Sequence, residues 1–169
     1  MPSSSTHMRG WGYAEWTDPI TGAVERVKFF NLITVSGDQM YAERGAGITG
    51  APNAPTGMRL GTGANEPAKT GADAVLGAYV AGSTKAFDPG FPTSAAVGSV
   101  RRITYRCTWP AGTATASGIV EVVLTNENPI ASGAGTSGNT VARALLRPAR
   151  NKTADVPLSV TWFHDTLGA

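Results

Sequence analysis

The chain is short of the residues that do chemistry. It has one cysteine, Cys107, so no disulfide can form within it, and a zinc site built on cysteines is excluded. It has two histidines, His7 and His164. Charged residues make up 15% of the sequence, well below the roughly 25% of an average soluble domain. Acidic and basic residues nearly balance, leaving a formal charge of +2, and the cations are scattered along the chain. A nucleic-acid binder needs a clustered basic face, so no nucleic-acid partner is expected. The densest basic stretch is Arg143, Arg147, Arg150 and Lys152. No apolar run reaches the ~20 residues of a membrane-spanning helix, and the polar start Met1-Pro2-Ser3-Ser4-Ser5-Thr6-His7 has no apolar export segment. The expectation is a protein made in a cytoplasm, with no membrane partner and no cofactor.

What is abundant points to strands and turns. Of 169 residues, 21 are glycine and 11 are proline, with apolar residues at 41%. A chain of this length forms one domain and buries roughly 70% of its unfolded surface. Helix bundles need long periodic runs of Leu, Ala, Glu and Lys, which are missing here.

Residues 1–9 read as a mobile arm, with a single β-sandwich domain over 10–169. Gly10-Trp11-Gly12-Tyr13-Ala14-Glu15-Trp16-Thr17 and Val24 to Thr34 read as a hairpin around the turn Asp18-Pro19-Ile20-Thr21-Gly22. Ser36 is placed to cap a short helix over 36–44, which Gly37 and later glycines keep short. Met58-Arg59-Leu60 reads as a short strand, and Leu76 to Ala81 as either a helix end or a strand.

The second half is clearer. Over 102–109, Ile103, Tyr105, Cys107 and Trp109 alternate with polar residues, the period of a half-buried strand. Over 118–125 both phases are largely apolar, so that strand is expected to be covered on both faces. Thr140 to Leu146 follows as a strand. In the last strand, Leu158, Val160 and Trp162 point inward. Short strands at turn-marked spacing predict an all-β, antiparallel β-sandwich or jelly-roll-like fold.

Catalytic constellations are sparse. His164 precedes Asp165, yet neighbours in a strand face opposite ways, so the pair does not read as an oriented base. Cys107 falls on the inward phase and reads as a small core residue. Gly61-Thr62-Gly63 opens like a phosphate loop, but Glu66-Pro67 follows and no Lys-Ser or Lys-Thr stands at the required spacing. Glu121 lies inside an apolar run and needs a partner such as Arg106 or Arg143; a glycosidase role would need a second inward carboxylate. Asp38, Asp73 and Asp88 lack calcium-loop spacing. The expectation is no enzyme, no catalytic residue and no metal.

The early aromatics Trp11, Tyr13 and Trp16 are the candidate partner-contact residues. In period two, Trp11 and Tyr13 share a face and Trp16 takes the other. Core packing and a contact surface are both open to them.

Asn31-Leu32-Ile33-Thr34, Leu60-Gly61-Thr62-Gly63, Thr104-Tyr105-Arg106-Cys107-Thr108-Trp109, Glu121-Val122-Val123-Leu124, Ala142-Arg143-Ala144 and Lys152-Thr153 with Leu158-Ser159-Val160-Thr161-Trp162 follow one another along the chain. In that order they resemble a family of small tailed-phage virion proteins, over about residues 10–167. The resemblance implies a β-sandwich virion part without known catalysis. The first expectation is a capsid decoration or minor capsid protein bound to the major capsid protein or other virion proteins. It would be a homo-oligomer, with a trimer ahead of a dimer. The alternative is a tail or head-fibre module that binds cell-surface glycan. With the arm and hairpin as anchors, removal of residues 1–16 is expected to leave the domain folded.

Overall fold

The structure is a computed structural model that describes residues 7–167. Among them nine strands form one antiparallel sheet in the order β4-β3-β7-β8-β2-β1-β9-β6-β5. The strands are β1 (His7–Thr17), β2 (Val24–Ile33), β3 (Gly57–Gly61), β4 (Lys85–Ala86), β5 (Thr93–Val97), β6 (Val100–Trp109), β7 (Ala116–Thr125), β8 (Thr140–Lys152) and β9 (Leu158–Leu167). One helix of more than a single turn, α1 (Val35–Gly45), follows β2. The all-β class with one short helix is therefore observed. The sandwich is not: its place is taken by one continuous sheet that curls over on itself.

The corner of that curl lies in β2. Val24 to Phe30 pair with β1, whereas Asn31 to Ile33 pair with β8. Glycines make the bend possible. A Cβ on Gly10 would sit 1.7 Å from Asn31 Oδ1, and one on Gly12 would sit 2.4 Å from the Phe29 ring and from the Thr161 carbonyl. The alternation Gly10-Trp11-Gly12-Tyr13 thus has a cause: glycines face inward where neighbours crowd in, and rings face outward. On the other half, Gly118 takes a positive φ of 68° where the β7–β8 register slips, a bulge of the kind that bends a strand.

The expected β1–β2 hairpin is present, with Trp11 opposite Phe30 and Thr17 opposite Val24. Asp18 organises its turn, accepting from the backbone N–H of Ile20 and of Thr21 at 2.8 Å each. The strand begins at His7, so residues 7–9 belong to the sheet rather than to an arm; residues 1–6 lie outside the described residues. Because β1 is held between β2 and β9, deleting residues 1–16 removes an interior strand. The expectation that such a truncation stays folded is withdrawn.

The helix cap is Thr34 rather than Ser36. The Thr34 hydroxyl accepts from the Gly37 N–H at 3.1 Å and donates to the Thr140 carbonyl, fastening the helix to β8. Gly37 does not shorten the helix; a Cβ there would lie 2.1 Å from the Val141 carbonyl, so glycine lets the helix pack directly on the strand.

Both halves of the sheet feed one core. Phe29, Tyr105, Cys107, Trp109, Leu158, Val160 and Trp162 come from one half, and Met58, Leu60, Val122, Leu124, Ala142, Ala144 and Leu146 from the other. The expected inward phases of β6 and β9 are observed, as is the burial of β7 on both faces from Ile119 to Thr125. The ambiguous stretch at 72–81 holds a single 3-10 turn, Ala72–Ala74, and an isolated bridge from Tyr79 to Gly61.

Candidate functional site

Two buried polar clusters account for most of the motifs singled out in the sequence. The first is built on Glu121 and Arg143, both with fully buried side chains. Arg143 donates to Glu121 Oε2 through Nε at 3.0 Å and through Nη2 at 2.6 Å. The same carboxylate accepts from the backbone N–H groups of Gly63 at 2.8 Å, Ala78 at 3.0 Å and Gly77 at 3.1 Å. Arg143 Nη1 donates to the Asp73 carbonyl at 2.9 Å. Of the two arginines expected as partners, Arg143 is the one chosen. The Gly61-Thr62-Gly63 turn now has a structural reason, because a Cβ on Gly61 would fall 2.3 Å from Glu121 Oε1. The glycines admit a carboxylate to the backbone, not a phosphate.

The second cluster runs through His164. Trp162 Nε1 donates to His164 Nε2 at 3.1 Å and to Asn31 Oδ1 at 3.2 Å. With Nε2 accepting, the ring proton lies on Nδ1, which donates to the Tyr41 hydroxyl at 2.5 Å. Tyr41 and Tyr105 hydroxyls are 3.1 Å apart. Burial drives the imidazole pKa down to about 3, against a small opposing pull from Asp165, so His164 is neutral. Burial raises the pKa of both tyrosines. Both imidazole nitrogens are engaged, leaving no lone pair to take a proton from a substrate. Asp165 sits on the opposite face of β9, as its neighbour position requires. Cys107 is buried, with its sulfur 3.5 Å from the carbonyl oxygens of Lys85 and Ala86, and burial raises its pKa.

These clusters join strands, and only the Tyr41–Tyr105 end of the second reaches a cavity, of about 390 Å³, shared with Met40, Pro92 and Ile103. Residues with no part in the core gather instead on the outer face of β2-β1-β9-β6. Trp11 lies in register with Phe30 of β2 and Phe163 of β9, a row of rings across three strands. The Trp11 and Phe163 centroids are 4.5 Å apart, and Tyr13 meets Trp11 edge-on at 5.4 Å. Cations lie over the rings: Arg102 is 5.0 Å from Trp11 and 4.9 Å from Phe163, Lys28 is 5.3 Å from Trp11, Arg26 is 4.8 Å from Tyr13, and Arg9 is 5.5 Å from Phe30.

Two carboxylates fix this layer. Asp165 accepts from Arg102 Nε at 2.6 Å and Nη2 at 2.8 Å, and from Trp11 Nε1 at 3.1 Å. The Arg102 hydrogen bonds hold its carboxyl below the ordinary carboxylate range, with Trp11 adding to the effect. Glu15 accepts from Arg26 Nε at 2.8 Å. Around the rings four cations therefore face two carboxylates, and the further pair of Arg106 and Asp88 at 3.6 Å is balanced, leaving an excess of two positive charges. Phe30 remains 56% exposed, a large ring left to solvent.

The predicted contact residues divide. Trp11 and Tyr13 stand half-buried on the outer face, whereas Trp16 is 4% exposed and belongs to the core. Sequence reasoning missed Phe30, Phe163, Lys28 and Arg102. The signal was present for Phe163, which takes the wet phase beside the inward Trp162. Scattering of cations in sequence hid their convergence, which depends on the sheet order. The Arg143–Lys152 grouping, conversely, disperses: Arg143 and Lys152 are buried, Arg147 pairs with Glu66 at 2.5 Å and Arg150 with Glu25 at 2.7 Å.

A separate cleft of about 410 Å³ opens at the hairpin end, lined by Trp16, Asp18, Glu25, Arg150, Asn151 and neighbouring apolar residues. Trp16 Nε1 and Arg150 Nε are both buried without a hydrogen-bond partner among the described residues. No helix among the described residues is long and apolar enough to cross a membrane, and no group of three or more His, Cys, Asp or Glu among them is placed to hold a metal ion. No family model matches the chain, and no curated protein and no solved structure matches it either.

Proposed function

We propose that this chain is a non-enzymatic structural subunit of a tailed-phage virion. In this reading it is a decoration or minor capsid protein on the outside of the head shell, and it docks through the outer face of β2-β1-β9-β6. The observation that carries the docking surface is the ring-and-cation layer. Phe30, Trp11, Tyr13 and Phe163 lie on a face whose opposite side already completes the core. Aromatic and arginine side chains held in fixed positions lose little freedom on binding, which is why they anchor interfaces. The excess positive charge suits an acidic patch on the major capsid protein or a neighbouring virion protein. The order of the sequence motifs supports the virion assignment. Many copies on one shell multiply modest contacts by avidity.

The test is binding to purified empty heads. Trp11→Ala combined with Phe163→Ala is expected to weaken binding at least tenfold while leaving the far-ultraviolet circular dichroism unchanged. Equal binding by the double variant, or no binding by the native protein, rejects the docking face.

The second reading is a tail or head-fibre module for host glycan, and the cleft at Trp16 and Arg150 favours it. The Trp16 ring beside the Asp18 carboxylate, Asn151 and the Arg150–Glu25 pair suits a neutral polyhydroxyl ligand, which stacks on a ring and both donates and accepts. A glycan array in which binding is lost on Asn151→Ala and Asp18→Ala would favour this reading over the first.

A further inference from the structure

The two ends of the curled sheet differ. At one end β4 is only Lys85 and Ala86, with β6 packed beside it: Cys107 Sγ lies 3.5 Å from the carbonyl oxygens of both. That edge is short and bears a lysine, two common protections against strand pairing. At the other end β5 carries Thr93-Ser94-Ala95-Ala96-Val97, every residue exposed, and it pairs on one side only, with β6. It has no charge, no proline and no bulge. An edge of this kind is a template for another strand.

We propose that β5 is a self-association edge, pairing antiparallel with β5 of a second copy about a two-fold axis at Ala95. The backbone sets the register. Val97 pairs with Val100 across the two-residue turn at Gly98 and Ser99, so Thr93, Ala95 and Val97 direct their N–H and C=O groups toward β6. Ser94 and Ala96 direct theirs away, to the open side. About an axis at Ala95, Ser94 of each copy faces Ala96 of the other, and each such pair exchanges both N–H···O bonds. All of the outward backbone groups of β5 are then satisfied.

The side chains favour a second copy over a foreign strand. A two-fold sets Ala95 against itself, where the Cα atoms approach to about 4.5 Å, a spacing that suits a small neutral residue and penalises a charged one. No side chain on β5 carries a charge with which to select an oppositely charged partner. The cations beside it, Arg101 and Arg102, are set one strand back, where Arg101 donates to Ser94 Oγ at 2.8 Å and Arg102 is taken up by Asp165. The dimer would also place the two ring-and-cation faces side by side on one continuous sheet.

The test uses free protein, so its outcome is independent of whether the chain belongs to a virion. Ala95→Cys places a thiol on the axis at a separation a disulfide spans, whereas Thr93→Cys places the two thiols roughly 14 Å apart along the strands. The native Cys107 is buried and does not compete. Mild oxidation is expected to convert the Ala95→Cys protein to a covalent dimer and to leave the Thr93→Cys protein monomeric. Sedimentation velocity is expected to show a concentration-dependent dimer for the native chain. Ala96→Pro, which removes an outward N–H and leaves the β6 pairing intact, is expected to abolish it. A native chain that stays monomeric, or forms trimers, with no preferential crosslinking at position 95, overturns the proposal. So does a foreign strand recovered on β5 in place of a second copy.

Discussion

Replacing His164 with glutamine should reverse the order of stability between neutral and acid pH. The native imidazole is fully buried and neutral, its pKa lowered from 6.5 to about 3 by burial. In the unfolded chain the same ring titrates near its ordinary value. As pH falls below 6.5, the unfolded state binds a proton that the folded state refuses, so stability is lost across the window from 6.5 toward 3. Each pKa unit is worth about 1.4 kcal/mol, so near pH 4.5 the penalty is roughly 3 kcal/mol. Glutamine keeps an acceptor for Trp162 Nε1 and a donor for the Tyr41 hydroxyl, but does not titrate. It fits the imidazole space less well and should cost about 1 to 2 kcal/mol at pH 7.5. At pH 4.5 it should instead be the more stable protein by a similar margin. Acid effects from carboxylates such as Asp165 are common to both proteins and cancel in the difference. Urea unfolding followed by tryptophan fluorescence is the assay, since Trp16, Trp109 and Trp162 are buried reporters. A stability gap that is the same at both pH values would refute the neutral-imidazole account.

Truncating Glu121 to alanine leaves the Arg143 guanidinium buried and unpaired and should cost about 3–5 kcal/mol in urea unfolding. Gly61→Ala should cost at least 2 kcal/mol by the same measure, because its new Cβ would fall 2.3 Å from Glu121 Oε1. Thr34→Ala should cost about 1 kcal/mol by removing the cap of α1, whereas Ser36→Ala should cost less; equal effects would refute the assignment of the cap. Binding to empty heads should weaken as salt rises, because exposed cations drive it; salt-independent binding would point away from the Arg9, Arg26, Lys28 and Arg102 face.

Strands β6 and β9 were legible because each is long and alternates in period two, and β7 because both of its phases are apolar, so local pattern and tertiary burial agree. The curl was not. It depends on β2 leaving one partner for another at Asn31, and on glycines whose role appears only when Gly10 meets Asn31 and Gly12 meets Phe29. The cap at Thr34 was hidden because Ser36 is an equally good capping residue by type; a bond to the distant Thr140 carbonyl decides between them. The motifs that carry the resemblance turn out to be tied by contacts remote in sequence. Leu60–Gly63, Glu121–Leu124 and Ala142–Ala144 meet at the buried ion pair, while Asn31, Tyr105 and Trp162 meet at the His164 cluster. The inward residues of these motifs build the core. None of the rings of the proposed docking face, nor the four cations over them, belongs to these motifs, although Thr104, Arg106 and Thr161 share that face. Only its β1 portion, Trp11 and Tyr13, was visible as a local run of rings.

A map of the phage particle with this chain located in it tests the central proposal most directly. The account predicts repeated copies on the outside of the head shell, with the outer face of β2-β1-β9-β6 against an acidic patch of a virion protein and Trp11 and Phe163 at the centre of the contact. Particles that lack the chain, or copies whose ring-and-cation face points to solvent while another surface meets the shell, would contradict it.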